Sequence, residues 1–258
     1  MKDKNIKKIV KEGYARVAMQ GVSCCPTKSC CGSANQTKSI SKSVGYSDTD
    51  INTVPEGANL GLGCGNPVAI ASLKEGEVVL DLGSGAGFDA FLASPKVGKT
   101  GRIIGVDMTP EMIEKAKKNA EKGNYRNIEF KLGEIEDLPV EDNSIDVIIS
   151  NCVINLSPNK KKAFQEAFRV LKTGGRLMVS DLVLDKELPK EIKESIEAYV
   201  GCISGALLKN EYLGCIKEAG FDQVKIINET VYPAEGMVDA ETAKTVISIK
   251  VSAIKGNK

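Results

Sequence analysis

The residues best equipped for chemistry in this sequence are cysteines. The chain of 258 residues contains eight cysteines and no histidine. Without histidine it lacks the commonest general base, the Ser–His and Cys–His nucleophile pairs, and imidazole ligands for metal ions. Any catalysis must therefore proceed without imidazole, and thiolates are available to take part in it.

Four of the cysteines stand singly, and their contexts differ. Cys152 follows the strand-like run IDVIISN, whereas Cys64 and Cys202 lie in glycine-rich segments, which are poor places for core side chains. On its own, Cys152 could be a small buried hydrophobe, a nucleophile or a ligand for a soft element. Cys215, within the helical pattern EYLGCIKEAG, is expected to be a small buried side chain.

The other four cysteines form two adjacent pairs in the segment CCPTKSCC. They are Cys24, Cys25, Cys30 and Cys31. The surrounding residues 21–43 are rich in Ser, Gly, Thr and Lys, which indicates a loop. The pairs could bind zinc or another soft metal without catalysis, although their spacing is not that of the usual zinc knuckle.

Composition restricts the class of protein. Lysine and arginine number 35 against 34 aspartates and glutamates, which argues against a binding surface for nucleic acid or anionic membrane. No apolar run is long enough to span a bilayer, and the basic N-terminus lacks the hydrophobic region of a secretory signal. We therefore expect a cytoplasmic protein, by default a monomer, whose cysteines are mostly reduced.

The elements that position these residues follow an alternating pattern from about residue 68 onward. Five strands are predicted, at 77–82, 102–107, 128–133, 145–151 and 176–184, each followed by a helix. Such repeated β-then-α units favour a parallel sheet with right-handed crossovers and helices on both faces.

The flanking segments complete this organisation. We expect an amphipathic helix over 1–20 and loop-like sequence over 44–67. Two further strands are predicted at 222–229 and 242–253, giving a mostly parallel seven-stranded α/β sheet. The chain thus divides into a cysteine-bearing N-terminal segment that covers the active site, a core, and a C-terminal part that completes the sheet on the substrate side. These parts are 1–67, 68–185 and 186–258.

A glycine-rich loop follows the first predicted strand. The sequence VVLDLGSGAGFD places Asp81, Gly83, Gly85 and Gly87 where the strand ends. A dinucleotide-binding loop is the alternative, but the third glycine comes one residue early, and Phe88 stands where that fingerprint has glycine. The pattern Asp-x-Gly-x-Gly-x-Gly instead resembles the class I, Rossmann-like S-adenosylmethionine-dependent methyltransferases.

This resemblance implies S-adenosylmethionine as the cofactor. The glycine loop, including Ser84, would approach its methionyl part, and Asp107 at the end of the second strand would accept the ribose hydroxyls. Met108 would cover the adenine, whose edge Glu134 and Ile135 would contact. Asn151 could contact the cofactor or simply form a turn.

Two further observations restrict the resemblance to one family of methyltransferases: the lack of an obvious general base and the sequence of three segments. Methyl transfer to O or N usually needs a base, yet the chain has no histidine and no obvious carboxylate pair in its place. A nucleophile with a lone pair and no proton to lose, such as trivalent arsenic, removes that need. The segments YSDTDINTVPEGANLGLGCGNP, SNCVINLSPNK and GCISGALLKNEYLGCIKEAGF closely resemble the arsenite S-adenosylmethionine methyltransferases, over roughly residues 44–230.

The family resemblance implies which thiols act. The arsenic-binding cysteines correspond to Cys64, Cys152 and Cys202, and a redox-active N-terminal cysteine corresponds to Cys31 or, second, Cys30. Arsenite and methylarsenicals would be the substrates. After each methyl transfer, two cysteines would reduce the pentavalent product by forming a disulfide, which thioredoxin or glutathione would reopen. The alternatives are a small-molecule C-methyltransferase acting on a quinone- or sterol-type acceptor, and a non-catalytic thiolate protein that binds metalloids.

Overall fold

A seven-stranded sheet forms the centre of the structure, a computed structural model that describes residues 3–20, 34–234 and 236–256. The strand order is β3-β2-β1-β4-β5-β7-β6. The strands are β1 (Val78–Leu82), β2 (Arg102–Asp107), β3 (Ile128–Leu132), β4 (Ile145–Asn151), β5 (Leu171–Leu184), β6 (Asp222–Val231) and β7 (Val246–Ile254). Strands β1 to β5 are parallel, and β7 pairs antiparallel with β5 and β6. The predicted mostly parallel sheet, completed by C-terminal strands, is confirmed.

Helices cover both faces of the sheet. On one face α7 and α10 bring Phe164 and Tyr212 into contact, and on the other α5 and α6 bury Phe91 and Ile113. The helices are α1 (Asp3–Gln20), α2 (Ala34–Ser43), α3 (Asp48–Thr53), α4 (Pro67–Ile70), α5 (Phe88–Val97), α6 (Pro110–Lys122), α7 (Lys160–Val170), α8 (Lys190–Lys193), α9 (Ile196–Val200), α10 (Lys209–Glu218) and α11 (Ala240–Ala243), with a 3-10 turn at Ile154–Leu156. None of these helices is both long and apolar enough to cross a membrane.

Two predicted helical features are wrong. No helix follows β3, so the expectation of five β-then-α units fails there; instead Ile135, Leu138 and Val140 of the connection are buried in the core. The run KKKAFQEAFRVLKTGG predicts a helix that continues to the Gly174–Gly175 pair, but α7 ends at Val170, because Leu171 already pairs with β4 as the first residue of β5.

The N-terminal part contains more helix than the sequence predicted. The expected helix over 1–20 is present as α1, which buries Val10 and Val17. The loops expected over 21–43 and 44–67 contain α2 and α3, and a capping box between Ser47 and Asp50 begins α3. The paired residues Cys24, Cys25, Cys30 and Cys31 lie outside the described residues.

Candidate active site

A deep cleft opens at the carboxyl ends of β1, β2 and β4, where ligands bind in open α/β sheets. It encloses about 1110 Å³ of space free of protein atoms, part of it open to solvent. Residues of α1, the 58–63 loop and the glycine loop line it, together with Asn151 and Cys152 at the end of β4. The cleft therefore lies where the sequence placed the cofactor.

The glycine loop needs glycine at two positions for different reasons. Gly83 has φ 66°, and a Cβ built on it would lie 2.4 Å from the side chain of Val153. Gly85 has φ 51°, but a Cβ there would meet no atom within 4 Å, because the residue lines open space in the cleft. The loop is tied to β2 through Asp107, whose carboxylate accepts the backbone N–H of Gly85 at 3.0 Å and of Thr109 at 2.8 Å.

Three buried polar atoms in the lining have no hydrogen-bond partner among the described residues. They are Nδ2 of Asn59, Oδ2 of Asp81 and Oγ of Ser84, and burial, with the charge of Asp89, raises the pKa of Asp81 well above its ordinary value. Buried acceptors that lack a partner are costly, so the two oxygens fit a ligand that brings donors or positive charge. These oxygens and the space beside Gly85 fit the ammonium, sulfonium and hydroxyl groups of S-adenosylmethionine.

Of the three residues expected at the adenine, two line the cleft and one does not. Met108 and the buried Ile135 line the cleft. Glu134 is not among the lining residues; its carboxylate accepts from Lys7 Nζ of α1 at 2.6 Å. Glu136, which the sequence reading missed, lines the cleft instead and lies 3.1 Å from the same Lys7 nitrogen.

The three cysteines that were singled out meet beside this cleft although they are far apart in sequence. Cys64, Cys152 and Cys202 are reduced, buried and part of one packed cluster. The thiol of Cys202 donates to the carbonyl of Cys152 at 3.2 Å, and the thiol of Cys64 donates to the carbonyl of Ser180 at 3.5 Å. Cys152 connects the cluster to the cofactor cleft, because it is the one of these three cysteines that lines the cleft.

The backbone holds two of these cysteines in an unfavourable conformation. Cys152 has φ 60° and Cys202 has φ 66°, in the left-handed region that suits glycine. A non-glycine residue costs roughly 1–2 kcal/mol there. Strained residues of this kind cluster at functional sites, because the strain aims a side chain that the surrounding structure then holds in place.

The three thiols are protonated at neutral pH. Burial raises the pKa of Cys64 to about 11 and raises that of Cys152 well above its ordinary value. The pKa of Cys202 is also raised well above that value, first by its hydrogen bond with Cys152 and then by burial. The cluster therefore suits a ligand that can take up the thiol protons itself.

Asn151 joins the N-terminal loop to the end of β4. Its Oδ1 accepts the backbone N–H of Cys64 at 3.1 Å, and its Nδ2 lies 2.9 Å from the carbonyl oxygen of Gly65, 2.8 Å from the Tyr46 hydroxyl and 3.0 Å from an Asp89 carboxylate oxygen. The Tyr46 hydroxyl also donates to Asp89 at 2.6 Å. The sequence reading missed Tyr46 and Asp89; a carboxylate one residue into the helix after a glycine loop was the available signal.

Asp181 of β5 is a further buried polar residue beside the thiols that the sequence did not single out. Its carboxylate, the thiol of Cys64 and the thiol of Cys152 all lie within 4.8 Å of one another. Burial raises the pKa of Asp181 to about 7, and the hydroxyl of Tyr212 donates to the carboxylate at 3.0 Å. Cys215, in contrast, packs in the hydrophobic core as expected.

Comparison with known proteins first shows which class of protein the chain belongs to. A family model described as a methyltransferase domain matches residues 73–220, more than half of the chain. An arsenic(III) S-adenosylmethionine methyltransferase from Chlamydomonas reinhardtii has a similar structure, with a TM-score of 0.66 and 32% identity over 84% of this chain and 73% of that one.

Curated relatives define the family. An arsenite methyltransferase from Halobacterium salinarum is 42% identical over 260 residues, 96% of this chain, and the human arsenite methyltransferase is 38% identical over 174 residues, 64% of this chain. The chain belongs to the arsenite S-adenosylmethionine methyltransferase family, as the resemblance implied. It spans 66% of the halobacterial relative and 46% of the human one.

Proposed function

We propose that this protein transfers methyl groups from S-adenosylmethionine to trivalent arsenic held by Cys64, Cys152 and Cys202. The observation that carries the proposal is the cluster of three buried thiols beside a cleft with orphaned acceptors, at the carboxyl edge of the sheet. The proposal includes a monomeric protein that works in the cytoplasm, where thiol reductants are abundant.

The buried, protonated thiols suit the capture of arsenite. Arsenous acid, As(OH)₃, is neutral at pH 7, and condensation with three thiols gives As(SR)₃ and three water molecules. Each hydroxide takes up the proton of the thiol that replaces it, so no charge enters or leaves the buried site. A neutral substrate that carries its own proton acceptors thereby avoids the cost of creating isolated buried thiolates.

Methyl transfer then needs positioning more than acid–base chemistry. When bound, S-adenosylmethionine would supply an electrophilic methyl group to the lone pair of arsenic, and the electron pair of the cleaved carbon–sulfur bond would leave with the cofactor. The residues of this chain hold the partners in line: Asp81, Ser84 and Asp107 on the cofactor side, and Cys152 on the arsenic side.

Pentavalent arsenic formed in this way must be reduced before another transfer. Two cysteine sulfurs give up two electrons by forming a disulfide, and arsenic returns to the trivalent state. A thioredoxin- or glutathione-type thiol then reopens the disulfide by exchange and is itself oxidised. Cys152 as one partner and Cys31 or Cys30 as the exchange thiol are part of this proposal.

The proposal assigns separate tasks to three parts of the chain. Residues 68–185 bind the cofactor, whereas 1–67 and 186–258 close over the strand ends and bring Cys64 and Cys202 to Cys152. The packing of α1 against both α6 and α9 supports this closure.

The test is the formation of product by the purified protein. Incubation with arsenite, S-adenosylmethionine and either a dithiol or a thioredoxin system should release methylarsenicals, separated by liquid chromatography and identified by mass spectrometry. Absence of methylarsenicals under all reductants, with S-adenosylmethionine still bound in equilibrium dialysis, would contradict the proposed function.

A further inference from the structure

A buried carboxylate stands beside two of the thiols, and the proposed methyl transfer does not use it. The ligand atoms of Cys64, Cys152 and Asp181 lie within 4.8 Å of one another, and all three residues are buried. Cys202 is not part of this set. The pair of Cys64 and Cys152 therefore has a third sulfur as one neighbour and a carboxylate as another.

The carboxylate of Asp181 is held firmly by its surroundings. One oxygen accepts the backbone N–H of Leu182 at 2.9 Å, and the other accepts the hydroxyl of Tyr212 at 3.0 Å. Tyr212 is itself fully buried on α10. Each carboxylate oxygen keeps a further lone pair, and a donor behind a carboxylate is the usual support of a metal ligand.

Two sulfurs and one carboxylate oxygen are a donor set for a thiophilic divalent cation. Zinc binds sulfur at about 2.3 Å and carboxylate oxygen at roughly 2.0–2.2 Å, so tetrahedral ligand atoms lie about 3.3–3.8 Å apart. The present set, within 4.8 Å, reaches that spacing by a contraction of at most about 1–1.5 Å.

The charges of the surroundings balance such an ion. Two thiolates and a carboxylate with a divalent cation carry a net charge of −1, which is costly in a buried site. Lys160 offsets part of it: its half-buried ammonium group interacts electrostatically with Asp181 and Cys202, although burial lowers the pKa of that ammonium group. Its Nζ is fixed by the carbonyl oxygens of Asn155 at 3.2 Å and Ser157 at 3.0 Å.

We propose that Cys64, Cys152 and Asp181 form a binding site for Zn²⁺ or Cd²⁺. On binding, the two thiol protons, and the proton of Asp181 where that group is protonated, pass to the solvent, and the cation takes the two sulfurs that arsenite would use. Such a cation therefore excludes arsenite and inhibits methylation; this consequence rests on the proposed function, whereas the cation site itself does not.

The test measures cadmium binding directly. The full chain is prepared with Cys24, Cys25, Cys30 and Cys31 replaced by serine, so that the N-terminal pairs cannot contribute. Equilibrium dialysis with Cd²⁺ alone should give about one ion per chain, with ultraviolet thiolate-to-cadmium absorption. In this background Asp181→Asn should weaken binding at least about tenfold, and Cys64→Ser should do the same. Cys215→Ser, a buried cysteine outside the cluster, should bind as the parent does.

The outcomes separate the two proposals. Cadmium binding that is absent, or unchanged within twofold by both Asp181→Asn and Cys64→Ser, would overturn the cation site. Circular dichroism shows whether each variant is folded, and Cys64→Ser decides the matter if Asp181→Asn is not. Displacement of cadmium by arsenite supports the competition, and failure of displacement refutes it. Cadmium binding in a protein that makes no methylarsenicals would overturn only the proposed function.

Discussion

The side chain of Asn151 accepts the backbone N–H of Cys64 at 3.1 Å. Asn151, which directly precedes Cys152, therefore holds the loop that carries Cys64. The loop fits closely around it, since a Cβ on Gly63 would lie 2.6 Å from the Asn151 amide nitrogen. The spacing of these two thiols therefore depends on a hydrogen bond between elements 87 residues apart.

Replacement of Asn151 by alanine should weaken arsenite binding about tenfold. The change leaves buried partners of the amide unpaired, at roughly 1–3 kcal/mol, and releases the Cys64 loop. Arsenite affinity is measured by equilibrium dialysis. Asn52→Ala, at an exposed position on α3, is the matched control and should bind arsenite as the wild type does. Equal affinities in the two variants would refute the positioning role.

Gly85 should matter for cofactor binding beyond the backbone strain that any substitution at its φ of 51° brings to the fold. Gly85→Ala puts a methyl group into the cleft and should weaken S-adenosylmethionine binding at least about tenfold, because that space is needed by the ligand. Gly174→Ala is the control: Gly174 also has positive φ and open space around a built Cβ, but it does not line the cleft. Calorimetric titration of both variants checks this, and similar losses in both would count against the assignment.

The left-handed backbone at Cys202 gives a test by stability. In a helix, a protein with glycine at a given position is usually less stable than the one with alanine by about 1 kcal/mol. At φ 66° the glycine variant should instead be the more stable one, by a similar amount. Cys202→Gly should therefore be more stable than Cys202→Ala in urea unfolding. At Cys215, inside α10, the glycine variant should be the less stable one. The same order at both positions would contradict the strain assigned to Cys202.

Asp181 should make the protein less stable as the pH rises. Burial raises its pKa to about 7 in the folded protein, whereas an unfolded aspartate titrates near ~3.9. Between these values the folded state holds the proton more tightly, so this group's stabilising effect is lost as pH rises from about 4 to about 7. Asp181→Asn removes this dependence. Over the same pH range, the free energy of unfolding of the variant should rise relative to that of the wild type by up to about 1.4 kcal/mol per pH unit.

Urea unfolding of both proteins at pH 5, 6, 7 and 8 measures this difference. A free-energy gap between variant and wild type that stays constant over the series would mean that Asp181 ionises like an exposed carboxylate. Thiol oxidation is excluded by keeping a reductant present throughout.

Much of the fold and part of the site could be predicted from the sequence. Buried strands followed by glycine or an acidic residue placed Asp81 and Asp107 correctly at the edge of the sheet. Cys152 could be located because it follows such a strand directly. The meeting of Cys64 and Cys202 with it came from family resemblance, because nothing local in either segment indicates what it folds against.

The missed residues share one cause: their partners are distant in sequence. Asp181 lies inside the run RLMVSDLVL, which has the pattern of a continuous core strand, and its neighbours Tyr212, Cys64 and Cys152 come from other parts of the chain. Glu136 lines the cleft and Glu134 does not, although Lys7 of α1, far away in sequence, contacts both carboxylates. An acidic side chain in a fully buried strand is nevertheless a usable signal, because burial of an unpartnered carboxylate is costly.

Methyl transfer in a single turnover, compared between wild type and Cys152→Ser, tests the central claim most directly. Protein preloaded with arsenite is mixed with radiolabelled S-adenosylmethionine, and methylarsenic is quantified over time, with Cys215→Ser as the control. We expect Cys152→Ser to lose at least about a hundredfold in rate, because the arsenic is no longer held in line, and Cys215→Ser to match the wild type. A rate for Cys152→Ser within threefold of the wild type would contradict the account and favour an acceptor that does not bind thiols.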